Sequence, residues 1–207
     1  VVAALAAAAR LGLPEPYFMI AHSMGGCIGL RALLSGLQAR AVAFSGPMWG
    51  IRLTALQRPS AWVYGLAARA VGADRRYAPT TSNATYVATA PFADNVLTSD
   101  PDMYALMQRQ VASHPDLALG GPSLHWLTEA LIETCALQRL DSPAVPCVTA
   151  LGANERVVNM ESVRDRMGRW GNGTLDLYQG AEHEVIMERP AHLKRFFDRA
   201  TALFDAN

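Results

Sequence analysis

A run of five apolar residues, Tyr17-Phe18-Met19-Ile20-Ala21, leads without a break into His22-Ser23-Met24-Gly25-Gly26 and then into a helical stretch, Cys27 to Leu34, closed by Gly36. Continuous rather than alternating apolarity suits a strand buried on both faces of a parallel sheet. Few folds let such a strand hand over to a helix within two residues with a serine at the handover. The turn written G-x-S-x-G does so, lifting the serine hydroxyl above the sheet and starting a helix at that point. It needs small residues two positions before and after the serine, because larger side chains there would collide. Ala21 stands in the first position in place of glycine, and Gly25 in the second. The helix directs its first amides at any charge developing beside Ser23, and the Met24 N–H is the natural donor to an oxyanion. By itself the turn also suits an unreactive glycine-rich connection.

The rest of the chain decides between these readings. Before the turn, Val1–Ala9 is rich in alanine and leucine, ends at Arg10 and is followed by Gly12 and Pro14, the pattern of a helix and its stop. It lacks the basic leader of a secretory signal. After the turn, Ala41–Phe44 reads as a second strand, so the order is helix, strand, helix, strand, the rhythm of an α/β domain. From Trp49 to about Ser142 the rhythm breaks. The patterns there are helical (Ser60–Val71, Met103–Ala112, Leu124–Leu137), joined by irregular links, an insertion too long for an ordinary loop. Strands resume at Ala144–Leu151 and Thr174–Tyr178, with helices at Glu161–Trp170 and Pro190–Phe204. The expected division is therefore a core part over 1–48, a helical cap over 49–142 and a second core part over 143–207.

A serine nucleophile needs a base, and the base needs an orienting acid. Gly180-Ala181-Glu182-His183-Glu184 follows the last strand directly, and Leu151-Gly152-Ala153-Asn154-Glu155 follows the one before it. In a parallel sheet both loops lie at the same edge as the Ser23 turn, so the order Ser23, Glu155, His183 meets the topological requirement. Asp176 lies inside a strand, Asp141 precedes the return of the sheet, and Glu182 and Glu184 flank His183 too closely to orient it easily. His22 adjoins the serine and is expected to point away from it into packing, or to help line a pocket. No metal is expected: His183-Glu184 opens a zincin-like string, but Met187 stands where its second histidine belongs. No dinucleotide-binding glycine fingerprint follows a strand, so no cofactor is expected either.

Composition narrows the partners. The chain has 207 residues, 51% hydrophobic and 17% charged, with 18 basic and 18 acidic side chains. Such a chain builds a large core, and its zero net charge argues against nucleic acid, whose binders carry a basic excess. Three widely spaced cysteines suit a reducing, cytoplasmic setting better than a disulfide framework. Within the insertion, Arg52, Arg58, Arg69, Arg75 and Arg76 face a single acid, Asp74, between Ile51 and Tyr77. Two readings stand: ordinary solvated helix faces, or a basic helix bearing Trp62 that rests peripherally on an anionic membrane surface, such as the inner face of a cell membrane.

These motifs together resemble the α/β-hydrolase superfamily, and within it the lysophospholipase and monoacylglycerol lipase group. Besides the serine turn, the resemblance is carried by Ser45-Gly46-Pro47-Met48-Trp49, Leu97-Thr98-Ser99-Asp100-Pro101, the Gly120-Gly121-Pro122 corner with Trp126, the Gly152–Val158 loop and Gly180–Glu184. It implies Ser23 as nucleophile, Glu155 as acid and His183 as base. It also implies a cap over an acyl pocket bordered by His22, Met48 and Trp49. The expected substrate is a single-chain acyl lipid; the same triad would also serve a small-ester esterase, a thioesterase or an acyltransferase, and a silent lipid-binding module is the reading outside enzymes. Superfamily sheets carry strands and a second oxyanion donor ahead of the nucleophile. Only 22 residues precede Ser23, so the expectation is a C-terminal part of a longer protein, with that donor outside this chain.

Overall fold

The computed structural model describes the backbone of residues 1–207 and every side chain except that of Val2. The chain opens with α1 (Val2–Arg10), β1 (Met19–His22), α2 (Met24–Leu34) and β2 (Val42–Ser45). A helical stretch follows: α3 (Gln57–Ala70), α4 (Tyr86–Thr89), α5 (Pro101–Ser113) and α6 (Leu124–Gln138). The last third is β3 (Cys147–Gly152), α7 (Met160–Gly168), β4 (Gly173–Tyr178) and α8 (Pro190–Asp205). The four strands form one parallel sheet in the order β1-β2-β3-β4. This parallel sheet with interleaved helices is the arrangement expected from the α/β-hydrolase resemblance.

Local chemistry sets the boundaries. β3 begins at Cys147, three residues later than the apolar run suggests, because Pro146 cannot donate to a ladder. α3 begins at Gln57, three residues early, with Pro59 in its first turn where the missing N–H costs nothing. The short α4 lies in a stretch that reads as irregular. α5 starts cleanly because Asp100 accepts from the amides of Asp102 and Met103, at 2.8 and 3.1 Å.

The central strands β2 and β3 are buried throughout, and their side chains divide between two layers. Val42, Phe44, Cys147 and Leu151 face one layer with Leu30 and Leu33 of α2, Val163 and Met167 of α7, and Trp170. Ala43, Val148 and Ala150 face the other, against Phe196 and Ala200 of α8. Each large side chain so buried contributes roughly 1.5–3 kcal/mol. β1 departs from the expectation of burial on both faces: it is the sheet's edge, paired only with β2, and Ile20 is 47% exposed. Above this sheet α6 is tied to α2 by a bidentate Arg31–Glu133 pair at 2.6 and 3.0 Å. Among the described residues, no helix is long and apolar enough to cross a membrane.

Candidate active site

Ser23 sits at the β1–α2 junction with φ 48 and ψ −118. A non-glycine residue there carries roughly 1–3 kcal/mol of strain, which the surroundings must hold in place. They do so through the Ser23 amide, which donates to Ser45 O at 3.0 Å, and the Ser23 carbonyl, which accepts from Met48 N at 2.9 Å. Met24 opens α2, so its amide has no intrahelical acceptor and remains available beside Ser23 Oγ. The steric reason for glycine differs from the expected one. A Cβ on Gly25 would meet nothing within 4 Å, whereas one on Gly26 would lie 2.6 Å from Pro47 Cβ. Close approach of α2 to the turn after β2 requires the second glycine, not the first.

The loops after β3 and β4 complete the site. His183 Nε2 lies 2.8 Å from Ser23 Oγ, and His183 Nδ1 lies 2.7 Å from Glu155 Oε2. Both side chains are buried, His183 3% and Glu155 0% exposed. Glu155 Oε1 accepts from the amides of Val157 and Val158, at 2.6 and 3.1 Å. Burial alone would raise the Glu155 carboxyl. The hydrogen bond and charge of His183, with those two amides, outweigh burial and hold it below the ordinary carboxylate range. An ionised carboxylate only accepts, so Nδ1 carries the proton and Nε2 offers its lone pair to the serine hydroxyl. Gly152 lets the two loops meet: a Cβ there would lie 2.0 Å from Glu182 O and 2.5 Å from Ala181 O.

The structure therefore brings together Ser23, His183 and Glu155 from three strand ends. Other acids have other partners. Asp176 of β4 pairs with Arg199 at 2.8 Å, and Glu184 lies 2.9 Å from His22 Nε2. His22 turns away from Ser23 Oγ; its Nδ1 is 3.2 Å from Ser45 Oγ, and its ring centroid is 5.0 Å from that of His183. Two expected pocket residues are corrected. Trp49 is fully buried, stacked on Trp170 with its indole N–H donating to Gly26 O at 3.1 Å, and Met48 is buried in the same cluster. Both are core, because the turn after β2 folds inward beneath α2. The exposed apolar groups beside the serine are instead Met24 and Trp126 of α6, whose indole N–H approaches Met24 Sδ at 3.3 Å. No cysteine competes as nucleophile at the core: burial pushes the Cys27 thiol up to about 11, helped by Glu133, and Cys147 to about 12.

Ring nitrogens of His22 and His183 and a Glu184 oxygen lie within 4.8 Å of one another. Both His183 nitrogens are already engaged, by Ser23 and Glu155. A cation there would compete with the serine contact, so the set suits proton transfer better than metal binding.

Sequence reasoning named Leu97–Ser99 and the Gly152–Val158 loop only as carriers of the resemblance, and it missed that Asn95–Ser99, Arg156 and Glu188 hold these loops. Arg156 Nη2 donates to Asn95 O at 2.6 Å, and its Nε donates to Glu182 Oε2 at 3.2 Å. Nothing in spacing signals such contacts, which span 61 residues in the first case.

A family model described as serine aminopeptidase, S33, matches residues 2–190. The chain is 29% identical over 196 residues to lysophospholipase L2 of Escherichia coli K12, covering 86% of this chain and 55% of that protein. It thus spans about half the length of the curated relatives it matches. Among solved structures, a soluble variant of Saccharomyces cerevisiae monoglyceride lipase in complex with a substrate analog gives a TM-score of 0.68 at 20% identity. That match covers 97% of this chain and 65% of the yeast one. A Paleococcus ferrophilus monoacylglycerol lipase gives 0.68 at 16% identity, over 98% of this chain and 72% of that one. At these identities the structural likeness is one of fold.

Proposed function

The chain belongs to the serine aminopeptidase S33 family of α/β hydrolases, and on that premise we propose that it is a serine ester hydrolase acting on single-chain acyl lipids, lysophospholipid or monoacylglycerol. The observation that carries the reading is the unbroken chain from Ser23 Oγ through His183 to Glu155, at 2.8 and 2.7 Å. Ser23 Oγ attacks the ester carbonyl while its proton passes to His183 Nε2. The Met24 amide donates to the oxyanion of the tetrahedral intermediate. As the intermediate collapses, the alcohol leaves with the proton from His183, and the acyl group stays on Ser23. Water then attacks the acyl-enzyme, gives its proton to His183 and releases the fatty acid, and the proton returns to Ser23 Oγ. Glu155 stays ionised throughout and stabilises the imidazolium.

Lipid as substrate is supported by the 29% identity to lysophospholipase L2 and by the apolar Met24 and Trp126 exposed beside the serine. Each methylene buried contributes about 0.8 kcal/mol, so kcat/KM for 4-nitrophenyl esters should rise about fourfold per methylene while the chain lengthens into the pocket. A preference for acetyl or butyryl esters would overturn the lipid reading in favour of a small-ester esterase. Failure of a fluorophosphonate probe to label Ser23 in the intact protein, with lipid still bound, would leave only a silent binding module. Comparing lysophosphatidylcholine with monoacylglycerol then assigns the head group.

The outward face of α3 suggests how such a substrate is met. Leu56, Val63, Tyr64, Leu66 and Val71 are all exposed, and at 100° per residue they share one side of the helix. Arg52 precedes the helix, Arg75 and Arg76 follow it, and none of the three has an ion-pair partner among the described residues, whereas Arg69 pairs with Glu129 on α6. An exposed apolar stripe with arginines before and after its helix suits an anionic lipid surface, where each arginine contributes about 1 kcal/mol. The protein should co-sediment with phosphatidylserine–phosphatidylcholine vesicles more than with phosphatidylcholine alone, and added salt should release it. Val63→Asp should weaken that binding while hydrolysis of a soluble ester is retained. Equal binding to both vesicle types would rule out the charge-assisted contact.

A further inference from the structure

Glu188, five residues after His183 at the end of the same loop, is fully buried and has no cation partner among the described residues. Its carboxylate is satisfied by N–H and O–H groups alone. Oε1 accepts from Ser99 N and Glu182 N, both at 2.8 Å; Oε2 accepts from Ser99 Oγ at 2.7 Å and Arg189 N at 3.3 Å. Removing a carboxylate from water without an opposing charge is costly, and here only the hydrogen bonds it accepts offset that cost. What the carboxylate does supply is geometry: four donors from two distant segments converge on it.

Those segments are the His183 loop and the turn Asn95–Ser99 that leads into α5. Three successive amides around the base are held. Glu182 N donates to Glu188 Oε1, His183 N to Val96 O at 3.4 Å, and Glu184 N to Leu97 O at 2.7 Å. Two of the three acceptors therefore lie in the turn that Glu188 clamps. The turn is itself rigid, since Asn95 Oδ1 accepts from the amides of Leu97 and Thr98, at 2.9 and 3.0 Å. Thr98 Oγ1 closes the far end on Met187 O at 2.7 Å. The opposite side is fastened to the acid loop through Arg156.

We infer that Glu188, acting through Ser99 and the Asn95–Ser99 turn, is a positioning residue for His183, and that this turn links the helical segment to the base. The inference rests on His183 acting as the base, as proposed above. A backbone so gripped leaves the imidazole little freedom to drift from Ser23 Oγ, and small displacements of a base are expensive in rate.

The test uses Glu188→Gln, Ser99→Ala and Ser99→Thr in the intact protein. Glu188→Gln keeps the shape but turns one acceptor oxygen into a donor; Ser99→Ala deletes one hydroxyl and keeps the fold if Glu188→Gln does not. Both should lower kcat and the rate of fluorophosphonate labelling of Ser23 by about 10- to 100-fold, with KM changed little. Ser99→Thr, which keeps the hydroxyl, should recover most of that loss. The proton between His183 Nδ1 and Glu155, seen as a low-field NMR resonance, should shift or broaden in the first two variants and return in the third. That resonance reads the imidazole whether or not ester is turned over. An unlabelled wild-type protein would overturn the esterase reading alone. A labelled wild type with an unchanged resonance and labelling rate in Ser99→Ala would overturn the positioning role, as would losses that merely track the folded fraction.

Discussion

Ser23→Ala should lower kcat for ester hydrolysis by about 10⁵- to 10⁶-fold, the cost seen when the nucleophile of a working triad is deleted. The size follows from geometry. Only Ser23 Oγ stands 2.8 Å from the His183 lone pair, and alanine leaves the base with nothing to activate but water. The substitution removes one oxygen and preserves the backbone strain at φ 48, so the thermal midpoint should stay near that of the wild type. Fluorophosphonate labelling should vanish with the activity, and lipid binding should persist. Residual turnover within tenfold of the wild type would mean that another group carries the chemistry.

Glu155→Gln should cost about 10⁴-fold in kcat at neutral pH. The glutamine side chain fills the same volume but can present an N–H to Nδ1, which moves the imidazole proton to Nε2, where it faces Ser23 and blocks proton uptake. Substrate KM should change little, since Glu155 is sealed from solvent behind His183. The same residue links stability to pH. Its carboxyl lies below the ordinary value of 4.5 in the folded state, where His183 and two amides outweigh the opposing effect of burial. A depressed folded value contributes stability that is complete above 4.5 and is lost as pH falls through the folded value. The wild-type melting temperature should therefore fall more steeply than that of Glu155→Gln as the solution is acidified below 4.5. Parallel melting curves for the two proteins across that range would show that the contacts to Glu155 contribute nothing to the fold.

Much of this arrangement was legible before any coordinates. The segments Tyr17–Ala21, Ala41–Phe44, Ala144–Leu151 and Thr174–Tyr178 each overlap a strand of the parallel sheet, because their apolar side chains find burial on the faces of a covered sheet. Pro146 delayed the start of the third strand, an effect of a missing donor that the apolar count ignores. Parallel connectivity then places every loop that follows a strand at one edge, so Ser23, Glu155 and His183 had to gather there. Asp176 was set aside on the same ground, since a residue inside β4 cannot reach that edge; it pairs with Arg199 instead.

Side-chain direction was less legible. Met48 and Trp49 were expected at a pocket because the family resemblance implied one there. Yet the turn after β2 bends inward, and Trp49 stacks on Trp170, 121 positions away. Steric demand at Gly26 rather than Gly25 likewise depends on where Pro47 comes to rest, which no local pattern encodes.

What the sequence by itself determined is the set of chemical groups and the sheet edge that holds them, because strand length, apolar continuity and the tight serine turn are local properties with a short range of physical consequence. Tertiary structure alone decided how those groups are held: which glycine the helix crowds, which aromatic ring is core, and that a buried Glu188 reaches 89 residues back to Ser99. Contacts of that span arise from strand order and loop packing after the sheet has formed. A carboxylate, a serine and an amide carry no mark in the chain that they will meet.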